Sequence, residues 1–124
     1  MLKDSRVAAV VATADLERAR RFYTETLGLG VMSEDPAGIV FTAGAGTAIL
    51  VYLRPEHSPA PQTIATFEVD DVAQMVRDLE AKGVRFEDYD MPGIKTVDHV
   101  ADLGGQKAAW FTDPDGNIIA IGTM

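Results

Sequence analysis

Asp15-Leu16-Glu17-Arg18-Ala19, running on to Leu27-Gly28-Leu29, is echoed by Asp71-Val72-Ala73-Gln74-Met75, running on to Lys82-Gly83-Val84. Self-similarity of this kind marks a duplicated unit. A strand-like apolar run precedes each copy, residues 7–11 in the first and 64–69 in the second. Each run passes into a helix whose first-turn acid suits the positive end of the helix dipole. In the second helix Val72, Met75, Val76 and Leu79 recur at helical spacing, and Leu16, Ala19, Phe22, Tyr23 and Leu27 hold nearly the same stripe in the first. One face of each helix is therefore expected to be buried. Gly28 and Gly83 stand where a left-handed C-terminal cap belongs. The first copy has one residue more between its leading aspartate and this glycine, so the pattern is divergent duplication and not a solenoid.

Outward from the helices, residues 29–33, 39–42 and 47–53 read as a meander of short strands separated by the turns Asp35-Pro36-Ala37-Gly38 and Gly44-Ala45-Gly46. β-Branched and aromatic runs bounded by glycine favour that reading. Gly44 and Gly46 join two strands and open no helix, so they form a hairpin turn and not a phosphate loop. The second copy continues with strands near 84–87, 99–103 and 106–111, the strong turn Asp113-Pro114-Asp115-Gly116-Asn117, and a closing strand over 118–121. Each copy is thus a β-α-β-β-β unit, one over about residues 1–54 and one over 63–124, joined by a proline-rich connection over 55–62.

Composition narrows the function. The chain has 124 residues, enough for one domain of two interlocked modules with a core of its own. It has no cysteine, which excludes disulfides, thiolate metal sites and cysteine nucleophiles and fits a reducing compartment; the cytoplasm is the expected location. No leader-like segment begins the sequence, and no apolar run approaches the ~20 residues of a membrane span. A net charge of −8 opposes nucleic-acid binding, and the one basic cluster, Arg18, Arg20 and Arg21, reads as a solvated helix face.

These stretches, with Val11-Ala12-Thr13-Ala14-Asp15 leading into the first helix, Phe67-Glu68-Val69-Asp70-Asp71-Val72 into the second, and Trp110-Phe111-Thr112-Asp113-Pro114-Asp115-Gly116-Asn117 near the end, give the chain a resemblance to the vicinal oxygen chelate superfamily. That superfamily includes glyoxalase I, extradiol dioxygenases, and fosfomycin- and bleomycin-resistance proteins. The resemblance covers nearly the whole chain. It implies an α+β fold of two tandem β-α-β-β-β modules forming a cup-shaped half-barrel sheet, assembled as a homodimer with small-molecule ligands in the cup. It also implies four metal-ligand positions, one on each of four strands, which fall at Ala8, about Leu50, Ile64 and Ala120. All four are apolar, and a divalent cation needs oxygen or imidazole donors. The expectation is no metal and no cofactor. A different site using His57 and His99, the only histidines, lacks paired spacing.

Side chains alternate across a strand, so a cup lined by Ala8, Ile64 and Ala120 is also lined by Val10, Ala12, Thr66, Glu68, Ile118 and Gly122. With Leu50 inward, Ala48, Tyr52 and Arg54 share its side. Tyr52 and Arg54 suit stacking on a ring and pairing with an anion, against the alternative of a sheet-surface tyrosine and a solvated arginine. Glu68 reads either as a carboxylate of raised pKa in an apolar cup or as an exposed strand-end acid. Trp110 and Phe111 point to opposite sides, one beneath a helix and the other toward the cup or a dimer contact. Residues 87–95 read as a lid or as an ordinary surface loop. Tyr52, Arg54, Glu68 and Trp110 are the candidate ligand-binding residues. Together these features favour a metal-independent protein that sequesters an aromatic or cationic compound. The alternatives are a glyoxalase-like lyase or dioxygenase, and a metal-free enzyme using Glu68, Tyr52, Arg54 or His99.

Overall fold

The computed structural model describes all of residues 1–124, which divide into two compact units, Met1–Ser58 and Pro59–Met124. The fold is mixed α+β, with one α-helix and one open sheet in each unit.

In the first unit β1 (Ala9–Thr13) leads into α1 (Leu16–Arg21), followed by β2 (Gly30–Asp35), β3 (Gly38–Thr42) and β4 (Ala48–Leu53). The sheet order is β1-β4-β3-β2, with β1 parallel to β4 and the other pairs antiparallel. This is the expected β-α-β-β-β unit, with β1 starting two residues later than the apolar run suggested, so Ala8 lies just outside it. Asp15 is the N-cap of α1, its carboxylate accepting from the Arg18 amide at 3.1 Å, a more specific role than a first-turn acid.

Past Arg21 the helix widens into a π turn over Phe22–Thr26, where the Leu27 amide donates to the Phe22 carbonyl at 3.0 Å. A π turn holds one more residue than an α turn. The extra residue of the first copy is absorbed here. The closing bond runs from the Leu29 amide to the Tyr23 carbonyl at 2.9 Å, whereas its counterpart runs from Val84 to Leu79 at 3.0 Å, one residue shorter. Ala19 and Tyr23 face a sheet side made of Val11, Ile39, Phe41 and Val51, all at most 1% exposed, and Tyr23 stacks on Phe41 at 5.3 Å. Arg20 of the basic cluster pairs with Glu34 of β2 and, at 3.4 Å, with Glu17.

In the second unit β5 (Thr63–Glu68) leads into α2 (Val72–Glu80), N-capped by Asp71, whose carboxylate accepts from the Gln74 amide at 3.0 Å. Then come β6 (Phe86–Glu87), β7 (Asp90–Met91), β8 (Ile94–Val97), β9 (Val100–Leu103), β10 (Gln106–Thr112) and β11 (Ile118–Gly122). The order is β5-β11-β10-β9-β8-β7, and β5 runs parallel to β11. The counterpart of β2 is split: β6 pairs with Trp110 and Phe111, while β9 pairs with residues 106–108 on the same strand. Residues 87–95 are therefore neither a free loop nor a detached lid. Asp90 and Met91 pair with Lys95 and Ile94 across the Gly93 turn, and β8 is hydrogen-bonded onward to β9. Val76, Ala109, Phe111, Ile119 and Ile121 are buried, the last four on the side of the sheet that meets α2.

Candidate functional site

Each sheet has one side packed on its helix and one side turned away from it, and the candidate residues are distributed over the second. In the first unit the strand register aligns Val10 with Leu50 and Leu50 with Val40, and in the next row Ala12 with Tyr52 and Tyr52 with Gly38. Val10 is 54% exposed, and Leu50, Val40 and Tyr52 are half-buried. Gly38 is required by close approach, because a Cβ there would come within 2.7 Å of the Val51 carbonyl oxygen. Tyr52 and Arg54 are neighbours in the first unit: the Tyr52 oxygen raises the Arg54 pKa above its ordinary value, with Glu56 adding to the effect. Arg54 is exposed.

In the second unit the equivalent row is Thr66, Ala120 and Trp110, with Gly122 between Glu68 and Ala108 in the next. The choice left open by sequence is resolved: Phe111 is 1% exposed, with its ring 5.6 Å from that of Phe86 on the α2 side, and Trp110 is half-buried on the opposite side. Glu68 shares that side and is exposed. A bulge in β5 at the start of its pairing with β11 interrupts the alternation at Ile64, while Thr66 and Glu68 keep their place.

Two residues that sequence reasoning missed belong to this face. Glu87 lies directly across from Trp110 in the β6–β10 register. Tyr89 meets the Trp110 ring edge-on, with centroids 5.2 Å apart and planes at 88°. Burial raises the Tyr89 pKa, and the charge of Glu87 raises it further. Only the spacing of Glu87 and Tyr89, same-side positions if β6 continued, hinted at this.

The donor chemistry of these rows does not fit a divalent cation. Ala8, Leu50, Ile64 and Ala120 present hydrocarbon, and their row neighbours Val10 and Thr66 add at most one hydroxyl. No group of three or more His, Cys, Asp or Glu side chains is placed to hold a metal ion. His57 belongs to the first unit and His99 to the second. His99 is held at both ring nitrogens, with Nδ1 2.9 Å from Asp88 Oδ1 and Nε2 3.3 Å from Glu80 Oε2.

An open groove of about 1110 Å³ lies in the second unit on the α2 side, between α2 and the β7–β9 strands. Some of its charged groups are paired internally: Lys107 with Asp102 at 2.6 Å, His99 with Glu80, and Arg77 with the neutral Gln74 at 2.9 Å. None of the candidate ligand-binding residues lines this groove, and Trp110 stands on the other side of the sheet.

The profile of the Glyoxalase/Bleomycin resistance protein/Dioxygenase superfamily matches residues 6–121. No curated protein matches the chain. Among solved structures, TnmS3, an antibiotic-binding protein from Streptomyces sp. CB03234, is 24% identical with a TM-score of 0.70, covering 99% of this chain and 98% of its own. The bleomycin resistance determinant encoded on the transposon Tn5 is 20% identical with a TM-score of 0.73, covering 96% and 97%. A lactoylglutathione lyase from Agrobacterium tumefaciens is 21% identical with a TM-score of 0.71, covering 96% and 93%. An antibiotic-binding protein, a resistance determinant and a lyase share this fold, so the likeness by itself does not choose a function.

Proposed function

This chain belongs to the Glyoxalase/Bleomycin resistance protein/Dioxygenase superfamily, and from that premise we propose that it is a metal-independent small-molecule-binding protein whose guest is aromatic or cationic. One observation carries the reading: the four family metal positions, Ala8, Leu50, Ile64 and Ala120, offer hydrocarbon where a metal would need carboxylate or imidazole, and Glu87, the one carboxylate in register with Trp110, is not grouped with further donors. Apolar linings with a few polar groups are the usual make-up of ligand sites. In the second unit Trp110 and Glu68 supply an aromatic plane and an acid; in the first, Tyr52 and Arg54 supply a phenol and a cation. The reading extends to a homodimer in the cytoplasm, and the absence of cysteine is in keeping with a reducing compartment.

The test is elemental analysis of protein purified without chelator, then titration with zinc, nickel, manganese and ferrous iron while following the thermal midpoint. A screen of aromatic and cationic compounds follows by the same readout. The expected result is no stoichiometric metal, no upward shift with any metal, and compounds that raise the midpoint, since a ligand of the native state stabilises it by mass action. Stoichiometric metal with a clear upward shift would replace this reading with a lyase or dioxygenase.

A metal-free enzyme is the second reading, favoured by the Asp88–His99 contact at 2.9 Å, which orients the imidazole as carboxylates do in acid–base sites. It ranks lower because the other ring nitrogen faces Glu80 at 3.3 Å instead of an open position.

A further inference from the structure

Phe86 and Glu87 pair with Phe111 and Trp110, so Phe86 joins the α2 side and Glu87 the Trp110 side. Beyond the strand, Tyr89 stands perpendicular to the indole and forms the second wall of an aromatic corner. Beside the indole on β11 and β5 are Ala120 and Thr66, side chains too short to cover a ring. Two acids lie on this side. Glu68 and Glu87 are exposed, and neither has an ion-pair partner. The lysines of the sheet, Lys95 and Lys107, line the groove on the α2 side instead.

The corner is also held in place. The Tyr89 amide donates to Thr96 Oγ1 at 2.9 Å, and the Thr96 amide donates to the Tyr89 carbonyl at 2.9 Å. Neighbouring Asp88 accepts from the Thr96 hydroxyl at 3.1 Å and contacts His99 Nδ1 at 2.9 Å. Asp98 and His99, both with positive φ in the β8–β9 turn, bring the imidazole to that position. A wall fixed before binding loses little freedom when a guest arrives.

We propose that the guest is a flat organic cation and that Tyr89 and Glu87 select it together with Trp110. This inference rests on the binding reading above and adds the charge and shape of the ligand. A cationic ring gains stacking on the indole, attraction to the π faces and attraction to both carboxylates. A neutral ring gains only the stacking, and an anionic ring meets both acids. The raised pKa of Tyr89, from burial and then from Glu87, reports the same low polarity and negative potential.

Trp110 is the only tryptophan, so its fluorescence reads the corner directly. The experiment titrates N-methylquinolinium, quinoline and quinoline carboxylate at neutral pH, with calorimetry as an independent measure. The cation is expected to bind roughly tenfold tighter than the other two. Glu87→Gln is expected to remove most of that preference and leave quinoline binding in place. Tyr89→Leu is expected to weaken all three, and Tyr89→Phe to retain them, with unchanged thermal midpoints showing that both variants fold. Equal binding of the three probes, or a preference untouched by Glu87→Gln, overturns the inference while the binding reading stands. If none of the three perturbs Trp110, the corner is not a ring site and the inference falls; hits in the thermal screen then decide whether the broader reading survives.

Discussion

Asp113 is 5% exposed, and its carboxylate accepts from the amides of Asp115 and Asn117 at 2.9 Å each and from the Asn117 side-chain amide at 2.8 Å. The turn itself was readable from Asp-Pro-Asp-Gly-Asn, but the burial of its first aspartate was not, since turn residues are usually exposed. Asp113→Ala leaves buried donors unpaired and is expected to cost about 3 kcal/mol in urea denaturation. Asp113→Asn is expected to cost less, because it keeps an acceptor for the two backbone amides. Tyr89 gives a prediction in pH. Its folded pKa is raised, so the stability linked to it is complete below the unfolded value near 10.0 and is lost as pH climbs through the folded value. An ultraviolet titration is expected to show phenolate forming later than in a free tyrosine. Glu87→Gln moves the transition only part of the way back, because burial is the larger cause.

At the scale of elements, the two leading aspartates proved to be N-caps and the two trailing glycines C-terminal turns, with φ of +78° at Gly28 and +91° at Gly83. A Cβ at either would meet nothing within 4 Å, so the cost of Gly28→Ala or Gly83→Ala is purely conformational. Each is expected to lose about 1 kcal/mol in denaturant melts, and an effect near zero would show that the caps are not left-handed in solution. The extra residue between Asp15 and Gly28 was visible, while its accommodation as a π turn was not, because one added residue fits a widened turn or a longer loop equally well by local pattern. Residues 87–95 lack a clear alternation, so the β7–β8 hairpin was illegible. Its existence rests on pairing with β9, a partner that local propensity does not reveal.

Across the whole molecule, a charge of −8 gives cationic guests a long-range attraction that added salt weakens. Affinity for N-methylquinolinium, read by Trp110 quenching, is expected to fall as potassium chloride is raised, with quinoline unaffected. A salt-independent affinity for the cation would mean that charge plays no part in its recognition. By itself the sequence determined the duplication, both helices with their C-terminal glycines, the order of the main strands and the apolar character of the four family metal positions. Those features are set by periodicity and by contacts between residues close along the chain. Only the tertiary structure decided that Trp110 faces away from α2, that β6 and β9 share one edge of β10, that Tyr89 meets the indole and that Glu87 lies across from it. Each of these depends on the register between strands remote in sequence, where a shift of one residue turns a side chain to the other face.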